Sequence, residues 1–132
     1  MNAGTGSPTA LIVDDDVGFI LWLGEMFTET GYQAIPALHC RQAMTIVKKL
    51  SLRVDVLVVN PELRGAARAM KLLETEYPSL RVVLIRDPSA PAPARNSNHA
   101  TLERPSAWEP ISRPQWVTKI RKVLLRPSAV KK

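Results

Sequence analysis

The sequence has little of what most metal and thiol chemistry needs. A single cysteine, Cys40, excludes an internal disulfide and most cysteine-based zinc sites, and two histidines, His39 and His99, make a histidine-rich metal centre improbable. No apolar run reaches the roughly 18 residues that a membrane-spanning helix requires, so no membrane is expected as a partner. Residues 1–10 are small and polar, without a basic n-region or an apolar h-region, so no secretory leader is expected and the chain reads as cytoplasmic. What remains is ample for a core. The 132 residues are 45% hydrophobic, and domains cluster near about 100–150 residues. A formal charge of +6 permits acidic partners without naming one, and the 11 prolines must be accommodated somewhere.

The pattern alternates strands with helices. Leu11-Ile12-Val13 is a short apolar run that stops at Asp14-Asp15-Asp16, as a buried parallel strand does where its carboxyl end meets solvent. Asp16 suits the N-cap of a helix carrying Ile20, Leu23 and Phe27, and Gly31 stands where a terminating glycine belongs. Residues 32–38 read as a second strand, which Pro36 moves to a sheet edge. Residues 41–50 form an amphipathic helix, 54–59 the strongest strand, 66–77 a helix and 81–85 a fourth strand. Prolines 88, 91 and 93 oppose a helix over 88–98. Residues 99–104 leave room for a turn of helix, and 106–108 read as a weak fifth strand. Ser112 with Gln115 opens a last helix through a capping box, with Trp116, Val117, Ile120, Val123 and Leu124 on its apolar face. The expected organisation is a flexible start over 1–8, one domain over 9–126 and a basic tail over 127–132. Repeated strand–helix units predict a parallel sheet covered on both faces, with a site at its carboxyl edge.

Several segments together carry a family resemblance. Leu-Ile-Val-Asp-Asp-Asp at 11–16, Glu-Thr-Gly-Tyr-Gln-Ala at 29–34, Asp-Val-Leu-Val-Val-Asn-Pro-Glu-Leu-Arg-Gly at 55–65 and Val-Val-Leu-Ile-Arg-Asp at 82–87 resemble the core of a response-regulator receiver domain, and Trp108-Glu109-Pro110 stands where that family has Lys-Pro. The resemblance spans about residues 9–125. It implies an α/β, flavodoxin-like doubly wound fold of five parallel strands in the order 2-1-3-4-5. The fourth helix would be shortened or replaced by the proline-rich segment. It also implies a histidine kinase as phosphoryl donor, an aspartate nucleophile ending the third strand, and two acids that help to hold Mg²⁺. A hydroxyl ending the fourth strand and a lysine before the last proline complete the family's site.

Carried over position by position, the resemblance keeps Asp14 and Asp15, places Asn60 at the nucleophile, Arg86 at the hydroxyl, Glu109 at the lysine and Ser106 at the aromatic switch. An amide forms no acyl phosphate, the loss of a carboxylate weakens a hard cation such as Mg²⁺, and Glu109 would repel a phosphoryl group. Pro61 has no backbone N–H, so the succinimide route from Asn60 to aspartate is blocked. The expectation is a degenerate phosphoacceptor site of Asn60, Asp14, Asp15, Arg86 and Glu109, with no catalytic residue and no cofactor. Arg86 would pair with Asp14, Asp15 or Glu109 in place of metal and lysine, or point to solvent. Asp14 and Asp15 holding a divalent cation is the alternative, with relic acids the plainer reading.

Outside this site, adjacent His39 and Cys40 lack the orienting group a catalytic pair needs. Trp22 and Trp116 belong to the core or an interface. Trp108, with Lys119, Arg121 and Lys122, forms a candidate interaction surface, and core packing and a solvated basic helix face are the plainer readings. The proline segment is either a remodelled partner surface or a tolerated loop. The function expected is that of a stand-alone pseudo-receiver that binds a protein, such as a histidine kinase or another receiver, without phosphorylation, with homodimerisation allowed. The alternatives are a basic nucleic-acid-binding module, which the absence of interleaved aromatics argues against, and a small-ligand sensor at the carboxyl edge of the sheet.

Overall fold

In the computed structural model, residues 7–88, 99–105 and 112–125 are described. The elements run β1 (Thr9–Val13), α1 (Val17–Glu29), β2 (Gln33–Ala37), α2 (Cys40–Leu50), β3 (Val56–Val59), α3 (Ala66–Glu76), β4 (Arg81–Arg86), β5 (Ala100–Glu103) and α4 (Arg113–Leu125). The five strands form one sheet in the order β2-β1-β3-β4-β5, every neighbouring pair parallel. This is the doubly wound arrangement expected.

Strand alternation sorts the core into two layers. Ala10 and Ile12 of β1, Val56 and Val58 of β3, and Val83 and Ile85 of β4 face α1 and α4, where they meet Phe19, Leu23, Phe27, Trp116 and Ile120. Leu11 and Val13, Leu57 and Val59, and Val82 and Leu84 face α2 and α3, where they meet Ala43, Val47, Ala69 and Leu73. Burial on both faces is why these strands read as unbroken apolar runs. Trp22 and Trp116 belong to the first layer, stacked edge to face with ring centres 4.9 Å apart.

Local signals fix the ends of the elements. Asp16 Oδ1 accepts from the Phe19 N–H at 3.1 Å and caps α1. At the other end of α1 the N–H groups of Gly31 and Tyr32 donate to the carbonyls of Thr28 and Phe27, a Schellman closure that needs the positive φ of 97° at Gly31. Pro36 sits in β2, an edge strand, where its missing N–H costs least. Arg113 at the start of α4 pairs with Glu25 and Glu29, one turn apart on α1. No described helix is long and apolar enough to cross a membrane.

The last strand corrects the sequence reading. The fifth strand is Ala100–Glu103, where a turn of helix was expected, and the strand expected at 106–108 lies outside the described residues. It is an edge strand with one neighbour, β4, and only Leu102 is fully buried, so it lacks the apolar run that marked the others. Residues 89–98 and 106–111, with the proline segment from 89 onward and the expectations for Ser106, Trp108 and Glu109, lie outside the described residues, as do residues 1–6 of the flexible start expected over 1–8, and residues 126–132 with the basic tail.

Candidate functional site

β1 and β3 run side by side with Val13 opposite Val59, so the next residues, Asp14 and Asn60, emerge together at the carboxyl edge of the sheet. The backbone secures both: the Asn60 N–H donates to the Val13 carbonyl at 3.0 Å, and the Asp14 N–H to the Ala37 carbonyl at 3.1 Å. Asp14 is completely buried. Its Oδ1 accepts from Asn60 Nδ2 at 3.0 Å and from the Asp15 N–H at 2.8 Å. Asn60 Oδ1 accepts from the Glu62 N–H at 2.9 Å, so the amide has each end matched to its partner and one orientation only.

The second oxygen of Asp14 is met from β5. Arg104, the residue that follows this strand, lies with NH1 2.6 Å from Asp14 Oδ2 and 3.6 Å from Asp16 Oδ2. Its Cζ stands 4.8 Å from the centre of the Phe19 ring, a cation–π contact that also shields the pair from water. The Asp14–Arg104 contact is ionic rather than an aligned hydrogen bond, and neither of the two atoms has another hydrogen-bond partner. Burial alone pushes the Asp14 carboxyl up, but the Arg104 guanidinium, the Asn60 amide and the Asp15 N–H together hold it below the usual carboxylate range. Burial likewise works against charge on Arg104, and Asp14, with Asp16 and Asp87 behind it, more than offsets this. The result is a buried carboxylate whose charge is matched within the chain.

This donor set does not fit a Mg²⁺ ion. Both oxygens of Asp14 are engaged, one by two N–H donors and one by a fixed cation. Asn60 turns an N–H toward the acid, where a metal site needs another charged oxygen. Among the described residues no group of three or more His, Cys, Asp or Glu is placed to hold a metal ion. The alternative of a divalent cation on Asp14 and Asp15 is therefore at odds with the geometry.

Other candidates fall in different places. Arg86 pairs with Glu103 across the β4–β5 edge at 2.6 Å, a partner outside the three expected. The cation that meets Asp14 is Arg104, which sequence reasoning missed. Its signal was present as Arg104-Pro105, a basic residue before proline, overlooked because the weak strand was placed further along. Lys119, Arg121 and Lys122 are exposed on α4, with Lys119 Nζ 4.8 Å from the Trp116 ring centre. His39 is an N-cap, its Nδ1 accepting from the Gln42 N–H at 3.2 Å, and burial pushes the Cys40 thiol up, away from nucleophilic thiolate.

No protein-family model matches the chain. No curated protein matches it either. Solved structures do match. The Vibrio cholerae chemotaxis protein CheY4 superposes with a TM-score of 0.67 at 15% identity, covering 89% of this chain and 99% of that one. A response regulator receiver protein from Burkholderia phymatum gives 0.66 at 15% identity over 93% and 99%. A chain of the complex between the histidine kinase ThkA and the response regulator TrrA gives 0.62 at 19% identity over 89% and 98%. The fold is thus that of response-regulator receiver domains.

Proposed function

We propose that this chain is a pseudo-receiver, a signalling module with the receiver fold that engages a protein partner in one constitutive state and is not switched by phosphoryl transfer. The observation that carries the reading is the closed cluster of Asp14, Asn60 and Arg104. By position on the fold, Asn60 ends the third strand, where a receiver's nucleophile belongs, and Arg104-Pro105 follows the fifth, where a lysine and proline belong. A neutral amide supplies no nucleophile, and a guanidinium seated on the buried acid takes the place of the metal. Such a site has no vacancy for a phosphoryl group to fill, and so no toggle. The reading places the protein in the cytoplasm as a non-enzyme. A histidine kinase is the first partner class to examine, since the structurally similar TrrA is solved bound to one.

The test is incubation of the chain with acetyl phosphate and Mg²⁺, or with a phosphorylated histidine kinase, followed by intact mass measurement. The expected result is an unchanged mass. A phosphoryl adduct on the wild type that disappears in Asn60→Ala overturns the reading.

A further inference from the structure

A second feature lies on the α2–α3 side of the sheet. A groove of about 590 Å³ is lined by residues of both helices and of the loops that precede them. Its base is apolar, built from Met44, Ala69 and Leu72, and Leu72 is left 49% exposed. Its rim carries three exposed arginines, Arg41 from α2, Arg64 from the loop before α3, and Arg68 from α3. No carboxylate lines it, and neither helix has an acid in its first turn. Among the described residues none of the three arginines takes part in a hydrogen bond or an ion pair. By contrast Arg53, Arg86, Arg104 and Arg113 each reach a carboxylate. Arg121 on α4 also has no such partner among the described residues, so what sets the groove apart is three such arginines on one apolar rim.

From this we infer that the α2–α3 groove is a docking surface for an acidic, amphipathic segment of a partner protein. The partner's leucine-like side chains would cover Met44 and Leu72, and its carboxylates would meet the guanidiniums of Arg41, Arg64 and Arg68. Guanidinium forks pair with carboxylates through two hydrogen bonds, and an apolar base gives such a segment the buried contact that charge alone does not. Nucleic acid fits less well, because no Phe, Tyr or Trp lines the groove as a stacking platform, and the ring nitrogen of His39, its one imidazole, is engaged as the N-cap of α2. The inference extends the protein-binding reading above but uses none of the residues around Asp14, so the two fail separately. A phosphoryl adduct removes the pseudo-receiver reading and leaves the groove untouched.

The experiment uses the full chain and a fluorescein-labelled helical peptide with leucine on one face and glutamate on the other, read by anisotropy at low and moderate salt. Binding that weakens with salt, and that falls about tenfold or more in Arg41→Gln/Arg64→Gln/Arg68→Gln, is the result expected. Leu72→Ser is expected to weaken it further, while Arg121→Gln on α4 leaves it unchanged. Three results overturn the inference: equal binding to the triple variant, equal binding by a peptide with glutamine replacing glutamate, or a single-stranded oligonucleotide that binds more tightly than the peptide and is lost in the triple variant. Circular dichroism of each variant establishes that the fold is retained.

Discussion

Two groups of arginines border the same sheet and are used in opposite ways. Arg104 is spent inward: its guanidinium sits between Phe19 and a fully buried carboxylate, and its charge is neutralised within the chain. Arg41, Arg64 and Arg68 face outward over an apolar groove with no acid beside them. A buried charge must be matched by the fold, because desolvation penalises it heavily; an exposed one is solvated and carries no such demand. Substitutions at the first group are therefore expected to cost stability, and at the second to cost binding.

The largest effect is expected for Arg104→Ala. It leaves the Asp14 carboxylate buried with no cation, the costly way to break such a pair, and stability should fall by about 3–5 kcal/mol in urea denaturation at pH 7. A loss below about 1 kcal/mol would show that the contact is dispensable and would collapse the distinction between the two groups. The reverse truncation is gentler. In Asp14→Asn the side chain still accepts and donates hydrogen bonds, and Arg104 retains Asp16 at 3.6 Å, so about 2 kcal/mol is expected.

The same pair predicts a pH dependence. The folded Asp14 carboxyl lies below its ordinary value of 3.8, so near that value the unfolded chain binds the proton more readily than the folded one. Its stabilising contribution is complete above about pH 5 and is lost as the pH falls through the lower folded value. Other carboxylates add to the acid limb, so the readout is a difference: between pH 7 and pH 3 the wild type should lose more stability than Asp14→Asn. Equal losses would mean that Asp14 titrates normally and that Arg104 does not hold it.

A smaller effect is expected at the other strand-edge pair. Arg86 and Glu103 also lie 2.6 Å apart, but Glu103 is about half exposed, so water can replace the contact. Arg86→Ala should cost at most about 1 kcal/mol, and less in high salt. A cost rivalling that of Arg104→Ala would move the electrostatic centre of the site from Asp14 to the β4–β5 edge.

These differences explain what the sequence made legible. β1, β3 and β4 announce themselves because burial on both faces demands continuous apolar residues, and Asp14 and Asn60 follow directly from where those runs stop. Asp16 and Gly31 are readable because capping and a left-handed turn are local demands. β5 is not, since an edge strand with one large buried side chain needs no apolar run. Misplacing it hid Arg104 and led to Arg86 and Glu109 being weighed in its stead. The groove was equally hidden: Arg41 is far along the chain from Arg64 and Arg68, and only the packing of α2 beside α3 makes them neighbours.

The smallest stability effect is expected where the largest binding effect is claimed. Arg41→Gln/Arg64→Gln/Arg68→Gln removes no hydrogen bond or ion pair found among the described residues and opens no cavity, because all three side chains are exposed. Substitutions of this kind usually stay within about 0.5 kcal/mol each, and relief of like-charge repulsion between the guanidiniums acts in the stabilising direction. Urea denaturation at low salt should therefore place the triple variant level with the wild type or slightly above it, the gap closing as salt screens the repulsion. A clear loss of stability would mean that the arginines hold α2 to α3, a structural duty that leaves no charge free for a partner. A neutral or positive change, beside a large loss for Arg104→Ala, would mean that these charges serve no fold-stabilising role, which is the condition a docking surface requires.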